Sequence, residues 1–228
     1  MTSFDDLVRL CPPPADPPRV DWDAVEGTLA IRLPEDYKQL AAAFGPGAFC
    51  NFMRVHHPHG ATDWVCLTGS MPATVRAQLE QDRNRGTDTG PHDPANLFAI
   101  GVTDNGEYLF WVSEPATEPD TWCIAVNEAR GPGWYTFDGT LTDFLASVLS
   151  GRTRVPLFPD DLLAQGPSFA PSATASGDPE PSAPSAPLAL DGKTVRAWAR
   201  ANGYQVPDRG RIPAEVLTAW ERANSSAP

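Results

Sequence analysis

Leu97-Phe98-Ala99-Ile100-Gly101-Val102-Thr103-Asp104-Asn105-Gly106-Glu107-Tyr108-Leu109-Phe110-Trp111-Val112 reads as two β-strands joined by a tight turn. Aromatic and β-branched residues crowd 97–102 and 108–112. Asp104-Asn105-Gly106 between them is a hairpin signal, because Asn and Gly reach the positive φ such turns need. Further runs of this kind lie at 49–55, 64–67 and 122–127, separated by Gly, Pro and Asp. Together they predict an antiparallel sheet.

Helical spacing brackets the sheet. Asp21-Trp22-Asp23-Ala24-Val25-Glu26-Gly27-Thr28-Leu29 places Trp22, Val25 and Leu29 on one face. Pro34 then stands where a helix begins, Glu35 and Asp36 suit its positive end, and Tyr37, Leu40, Ala41 and Phe44 form a stripe that Gly45 ends. Residues 73–80 are also helical, and at 141–149 Leu141, Phe144, Leu145 and Val148 turn inward before Gly151. An antiparallel sheet with flanking helices predicts an α+β domain over 20–158. Ahead of it lies an N-terminal arm, 1–19, in which Cys11-Pro12-Pro13-Pro14 is expected to be non-helical.

The chain has 228 residues, 41% of them hydrophobic, enough for a core and for one or two domains. No apolar run approaches the length of a membrane span, and Met1-Thr2-Ser3-Phe4-Asp5-Asp6 lacks the basic-then-apolar order of a signal peptide. A cytoplasmic protein without a membrane partner is expected. Cys11, Cys50, Cys66 and Cys123 lie far apart with no Cys-x-x-Cys pair, so they are expected as ordinary buried thiols in a reducing compartment.

Charge divides the chain more sharply than composition does. Residues 1–189 hold 11 Lys and Arg against 25 Asp and Glu, a balance of −14, whereas 190–228 hold 6 against 4. DNA would repel the first part, so nucleic-acid contact is confined to the tail. Only two of the 17 basic residues, Lys38 and Lys193, are lysine, a bias consistent with a GC-rich genome. Between the two parts, 159–188 is rich in Pro, Ala and Ser, contains Gly166-Pro167-Ser168-Phe169-Ala170-Pro171, and is expected to be a disordered linker.

In the tail, 189–228, Val195, Trp198 and Ala199 stand at helical spacing, and Asn202-Gly203 can close that helix. A second helix starts at Pro213 and repeats Val216, Trp220 and Ala223. The expected two-helix hairpin presents Pro207-Asp208-Arg209-Gly210-Arg211 between its helices. Two guanidinium groups flanking a residue without a Cβ can follow a narrow groove floor. The minor groove of A·T-rich DNA is such a groove, with enhanced negative potential, whereas a G·C pair places an amino group in the way. Lys193, Arg196 and Arg200 recur at helical spacing, suited to phosphates.

Val195-Arg196-Ala197-Trp198-Ala199-Arg200-Ala201-Asn202-Gly203 and Asp208-Arg209-Gly210-Arg211-Ile212-Pro213-Ala214-Glu215-Val216 closely resemble the C-terminal DNA-binding domain of the actinobacterial Lsr-type histone-like nucleoid silencers. The resemblance implies that Arg209, Gly210 and Arg211 enter the minor groove of A·T-rich double-stranded DNA and that the protein resides in the nucleoid. The dimerisation and bridging strands usual at that family's N-terminus have no counterpart in the sequence. The peripheral-subunit-binding modules of 2-oxo-acid dehydrogenase complexes also set two small helices around a Gly-Arg-Ile segment. Their loop is usually longer than 204–211, and their lipoyl and acyltransferase neighbours are lacking.

The acidic part resembles the SUKH superfamily of bacterial immunity proteins. The resemblance rests on Val25-Glu26, Leu33-Pro34-Glu35-Asp36-Tyr37, Phe44-Gly45-Pro46-Gly47, Phe98-Ala99-Ile100-Gly101 with Asp104 and Gly106, then Trp111, Phe137 and Phe144-Leu145. It implies a non-enzymatic module that binds a protein partner, often a toxin, through one face of the sheet.

Other constellations are weaker. His56-His57-Pro58-His59 with Asp63 gathers imidazoles, but Pro58 scatters them, and a polar strand end is the expectation rather than a metal site. Asp82-Arg83-Asn84-Arg85 and residues 88–93 read as a solvated charged loop. With no Gly-x-Ser-x-Gly, phosphate loop or dinucleotide fingerprint, neither catalysis nor a cofactor is expected. The reading is a DNA-binding, nucleoid-associated or regulatory protein with an acidic partner-binding domain. The alternative is an immunity protein that neutralises a toxin and uses the tail as an anchor.

Overall fold

The hairpin at 97–112 forms, and its alternation places successive side chains in two separate cores. The computed structural model describes residues 2–87 and 90–172. The chain divides into units Met1–Gly177 and Asp178–Pro228, and the fold described is that of the first. The rest of the expected linker, from 173, and the expected two-helix tail lie outside the described residues.

Among the described residues, five α-helices, α1 (Ser3–Leu10), α2 (Trp22–Leu29), α3 (Glu35–Phe44), α4 (Met71–Asn84) and α5 (Leu141–Leu149), accompany seven strands. The strands are β1 (Gly47–Phe49), β2 (Met53–Val55), β3 (Leu97–Thr103), β4 (Tyr108–Val112), β5 (Cys123–Asn127), β6 (Trp134–Phe137) and β7 (Phe169–Pro171). They form one sheet in the order β6-β5-β4-β3-β2-β1-β7, and every neighbouring pair is antiparallel. The α+β expectation therefore holds.

Side-chain period decides the layers. Leu109, Trp111, Ile124 and Val126 face a core shared with Tyr37, Leu40, Phe44, Phe144, Leu145 and Leu149. Leu97, Ala99, Phe110 and Ala125 face the other way and meet Met71 and Val75 of α4. Tyr37 lies in the larger core edge-on to Trp111, with ring centroids 5.1 Å apart, and donates its Oη hydrogen to the His56 carbonyl at 2.8 Å. Lys38 pairs with Glu26 at 2.7 Å, and the Leu33 amide donates to the same carboxylate at 2.8 Å, fixing α2 to the start of α3. At the far end of the core, the Thr142 amide and hydroxyl both donate to Asp36, at 2.9 and 2.7 Å, tying α5 to α3.

The N-terminal arm expected at 1–19 carries a helix, α1, ahead of its non-helical Cys11-Pro12-Pro13-Pro14 run. Thr2 and Asp5 form a reciprocal capping box, and Leu7 and Cys11 are fully buried. The proline run begins only after that helix ends. The single strand expected at 49–55 is instead the end of β1, a turn and β2, which pair as a hairpin: Cys50 and Asn51 adopt φ of 51° and 49°, and Phe49 pairs with Met53. The strand expected at 64–67 is a turn, closed by the Val65 amide donating to the Thr62 carbonyl at 3.1 Å.

Residues 159–171, expected as the start of a disordered linker, are instead part of the fold. Leu162, Leu163 and Phe169 pack on the larger core, and β7 pairs with β1 at the sheet edge, where Pro171 is tolerated. Gly47 permits this pairing, since a Cβ there would lie 2.6 Å from the Ala170 carbonyl oxygen. Phe169 sits 5.0 Å from Phe44 and 4.9 Å from Phe49, centroid to centroid. Phe169→Ala is expected to cost about 2 kcal/mol, less than a fully buried Phe because the ring is half-exposed. Urea unfolding measures this, and an unchanged midpoint would mean that the edge strand contributes nothing.

Candidate functional site

The second sheet face is only partly covered, and this leaves a groove. Helix α4 seals Leu97, Ala99, Phe110 and Ala125 with Met71 and Val75, but further along it presents Gln78, half-buried Leu79 and Asp82. Opposite them, Tyr108 of β4 and Trp134 of β6 are half-buried, and the turn between β5 and β6 brings Glu128 and Arg130. These residues and Trp64 line one open groove of about 520 Å³. That volume lies in the range of small-ligand and peptide side-chain pockets.

Local structure fixes the aromatic members. Trp134 packs against Phe110 with centroids 5.6 Å apart, and Gly90 approaches it so closely that a Cβ would lie 2.4 Å from the indole. Trp64 is 65% exposed, the one large hydrophobic so exposed among the described residues. Its turn is held in place because neighbouring Asp63 accepts from the Ser70 amide at 3.0 Å and from the Ser70 hydroxyl, at the start of α4. Those two bonds hold the Asp63 carboxyl below its ordinary range. An exposed tryptophan on a braced turn is a surface suited to a protein partner.

Charged groups frame the groove. The Gly133 amide donates to Glu128 Oε2 at 3.0 Å, which orients that carboxylate. Asp82 accepts from Gln78 at 3.0 Å and lies 3.6 Å from Arg85. Arg83 meets Asp93 at 2.8 Å, and His92 bonds Thr136 Oγ1 at 2.8 Å. The charged segment is solvent-exposed as expected, and these exposed contacts link the end of α4 to 92–93 and these in turn to β6.

The histidines serve the fold. His57 Nδ1 accepts from the His59 amide at 3.0 Å, so its Nε2 is the protonated nitrogen, donating to the Ala41 carbonyl at 3.3 Å. His59 Nε2 contacts the Arg19 carbonyl at 3.0 Å. His56 is fully buried, and neither ring nitrogen has a hydrogen-bond partner. The Ala99 backbone favours its protonation, against burial, without making a hydrogen bond to either ring nitrogen. Burial lowers the pKa of both His56 and His57 to about 4. Among the described residues, no group of three or more His, Cys, Asp and Glu side chains could hold a metal ion.

All four cysteines are free. Cys11 is buried, with its thiol pushed up to about 11 by desolvation and, to a smaller extent, by Cys50. Cys50, Cys66 and Cys123 are only half-buried, which corrects the expectation that all four are buried.

The groove was not legible beforehand as a site, because its members come from 64, 71–87, 108 and 127–134. Trp64 and Trp134 offered the one available clue, being aromatics in segments rich in turn residues. Lys193, Arg196, Arg200, Arg209, Gly210 and Arg211 lie outside the described residues. Among the described residues no helix is long and apolar enough to cross a membrane.

No solved structure matches the chain. Residues 189–223 match the Lsr2 DNA-binding domain family, and the matched stretch includes all six of those tail residues. The C-terminal segment is therefore similar to a DNA-binding domain, which supports a DNA-binding, nucleoid-associated role for the protein.

Proposed function

We propose that the protein is a nucleoid-associated or regulatory factor of the cytoplasm. Its tail inserts Arg209-Gly210-Arg211 into the minor groove of A·T-rich DNA, and its acidic first unit is a non-enzymatic, SUKH-like module that binds a protein partner. The observation that carries this reading is the DNA-binding-domain match at 189–223, with Arg-Gly-Arg inside it. Arginine side chains fit the narrow, strongly negative groove of A·T tracts, while Lys193, Arg196 and Arg200 supply phosphate contacts. The balance of −14 over 1–189 disfavours DNA contact elsewhere.

Fluorescence anisotropy of the full chain on A·T-rich and G·C-rich duplexes tests the tail. The A·T preference is expected to disappear in Arg209→Ala and in Arg211→Ala, each weakening A·T binding about 10-fold or more. With three or four phosphates neutralised, the slope of log affinity against log salt should be about −3. Equal binding to both duplexes by the unaltered chain would sink the minor-groove mechanism.

The groove beside Trp64 favours a second reading, in which the first unit neutralises a toxin and the tail anchors it. A chain ending at residue 172 separates the two. Under the second reading it still protects against the toxin, whereas under the first it loses its role together with DNA binding.

A further inference from the structure

Resting on the reading of the first unit as a partner-binding module, we infer that the groove between α4 and the β5–β6 turn recognises an arginine side chain of the partner protein. Three aromatic rings, Trp64, Tyr108 and Trp134, line one groove with two carboxylates, Asp82 and Glu128. Aromatic faces attract a cation through the ring quadrupole, and tryptophan does so most strongly. A guanidinium adds what an ammonium lacks: a flat surface that stacks on indole and a fork of N–H donors that matches a carboxylate.

The carboxylates are not equivalent. Asp82 already has Gln78 across both oxygens at 3.0 Å and Arg85 at 3.6 Å. Glu128 has no cation partner among the described residues; its Oε2 accepts from the Gly133 amide, so the side chain is positioned while Oε1 stays available. Arg130, on the same turn, is the one other charged residue lining the groove and makes no ion pair among the described residues. The site thus offers an exposed tryptophan, two half-buried rings and an oriented, uncompensated carboxylate.

Charge complementarity extends beyond the groove. Residues 1–177 hold 11 Lys and Arg against 23 Asp and Glu, a balance of −12 that steers cationic partners toward this unit and repels acidic ones. Leu79, half-buried between Asp82 and the covered part of α4, provides an apolar contact for a residue adjacent to the arginine. The partner segment is therefore a basic, exposed stretch in which an arginine has an apolar neighbour.

The test uses the full chain and two dipeptides, acetyl-leucyl-arginine amide and acetyl-leucyl-citrulline amide, the second matching the first in shape without its charge. The readout is the indole N–H signals of Trp64 and Trp134 in two-dimensional NMR. The arginine peptide is expected to shift both signals, with affinity about 5-fold or more above that of the citrulline peptide. Glu128→Gln is expected to weaken it about 5-fold while leaving thermal stability unchanged, because Gln keeps an oxygen for the Gly133 amide. Equal shifts from both peptides would overturn arginine recognition and leave the groove as an apolar partner surface. No shift with either peptide up to about 10 mM would overturn the groove as the recognition site, while toxin or partner binding by the chain ending at 172 would still decide the broader reading.

Discussion

Between pH 6.5 and pH 4 the first unit is expected to lose on the order of 3 kcal/mol of stability for each of His56 and His57. Both histidines have a folded pKa of about 4, lowered from 6.5 mainly by burial. Their contribution is fully present above pH 6.5. As the pH falls the unfolded chain takes up the protons first, so stability drops until the folded pKa is reached. Because a domain of this size is typically stable by about 5–15 kcal/mol, the combined loss is a large share of the total. His92, also lowered by desolvation, acts in the same direction.

Relief of the strong negative charge works the other way, but carboxylates titrate nearer pH 4. Urea unfolding followed by tryptophan fluorescence at pH 7, 6 and 5 therefore isolates the imidazoles. His56→Leu is expected to flatten the slope without weakening the protein at pH 7, since no hydrogen bond of the ring is lost. A slope unchanged in that variant would mean that His56 is protonated, or reaches solvent, in the folded state.

Trp111→Ala is the other large effect. The side chain is 1% exposed, and its ring contacts Tyr37 at 5.1 Å, Trp122 at 5.9 Å and Phe98 at 5.9 Å. Removing it leaves a cavity between the sheet and α3, expected to cost about 3–5 kcal/mol and lower the thermal midpoint by roughly 10 °C. Trp64→Ala provides the contrast, with an expected change within about 0.5 kcal/mol because little of that ring is buried. A similar midpoint for both variants would contradict the division between a structural and a surface tryptophan.

What was legible in the sequence was what short-range chemistry encodes. The α3 stripe at Tyr37, Leu40, Ala41 and Phe44, the whole of α5, and β4 at 108–112 follow from periods of 3.6 and 2 bounded by Pro, Thr or Gly. The similarity of 189–223 to a DNA-binding domain was legible for the same reason, since the recognition residues are neighbours along the chain.

Elements whose stability comes from distant partners were not legible. Helix α1 was masked by the prolines that follow it, although Thr2 and Asp5 with Phe4, Leu7 and Val8 carried its signature. Strand β7 sits in a Pro-rich stretch and exists because Phe169 finds Phe44 and Phe49, more than a hundred residues away. Trp64 looked like part of a strand until Asp63 reached Ser70 and closed the turn.

The alternation at 97–112, the helices around it and the acidic–basic division of the chain are written in local runs of residues, because each depends on residues close together. That Trp64, Tyr108, Glu128 and Trp134 share a groove and that His56 and His57 are buried emerges from long-range packing alone. Those outcomes depend on how the sheet, α4 and the loops pack, and packing is set by shape and solvent exclusion across the whole domain rather than by any local run of residues.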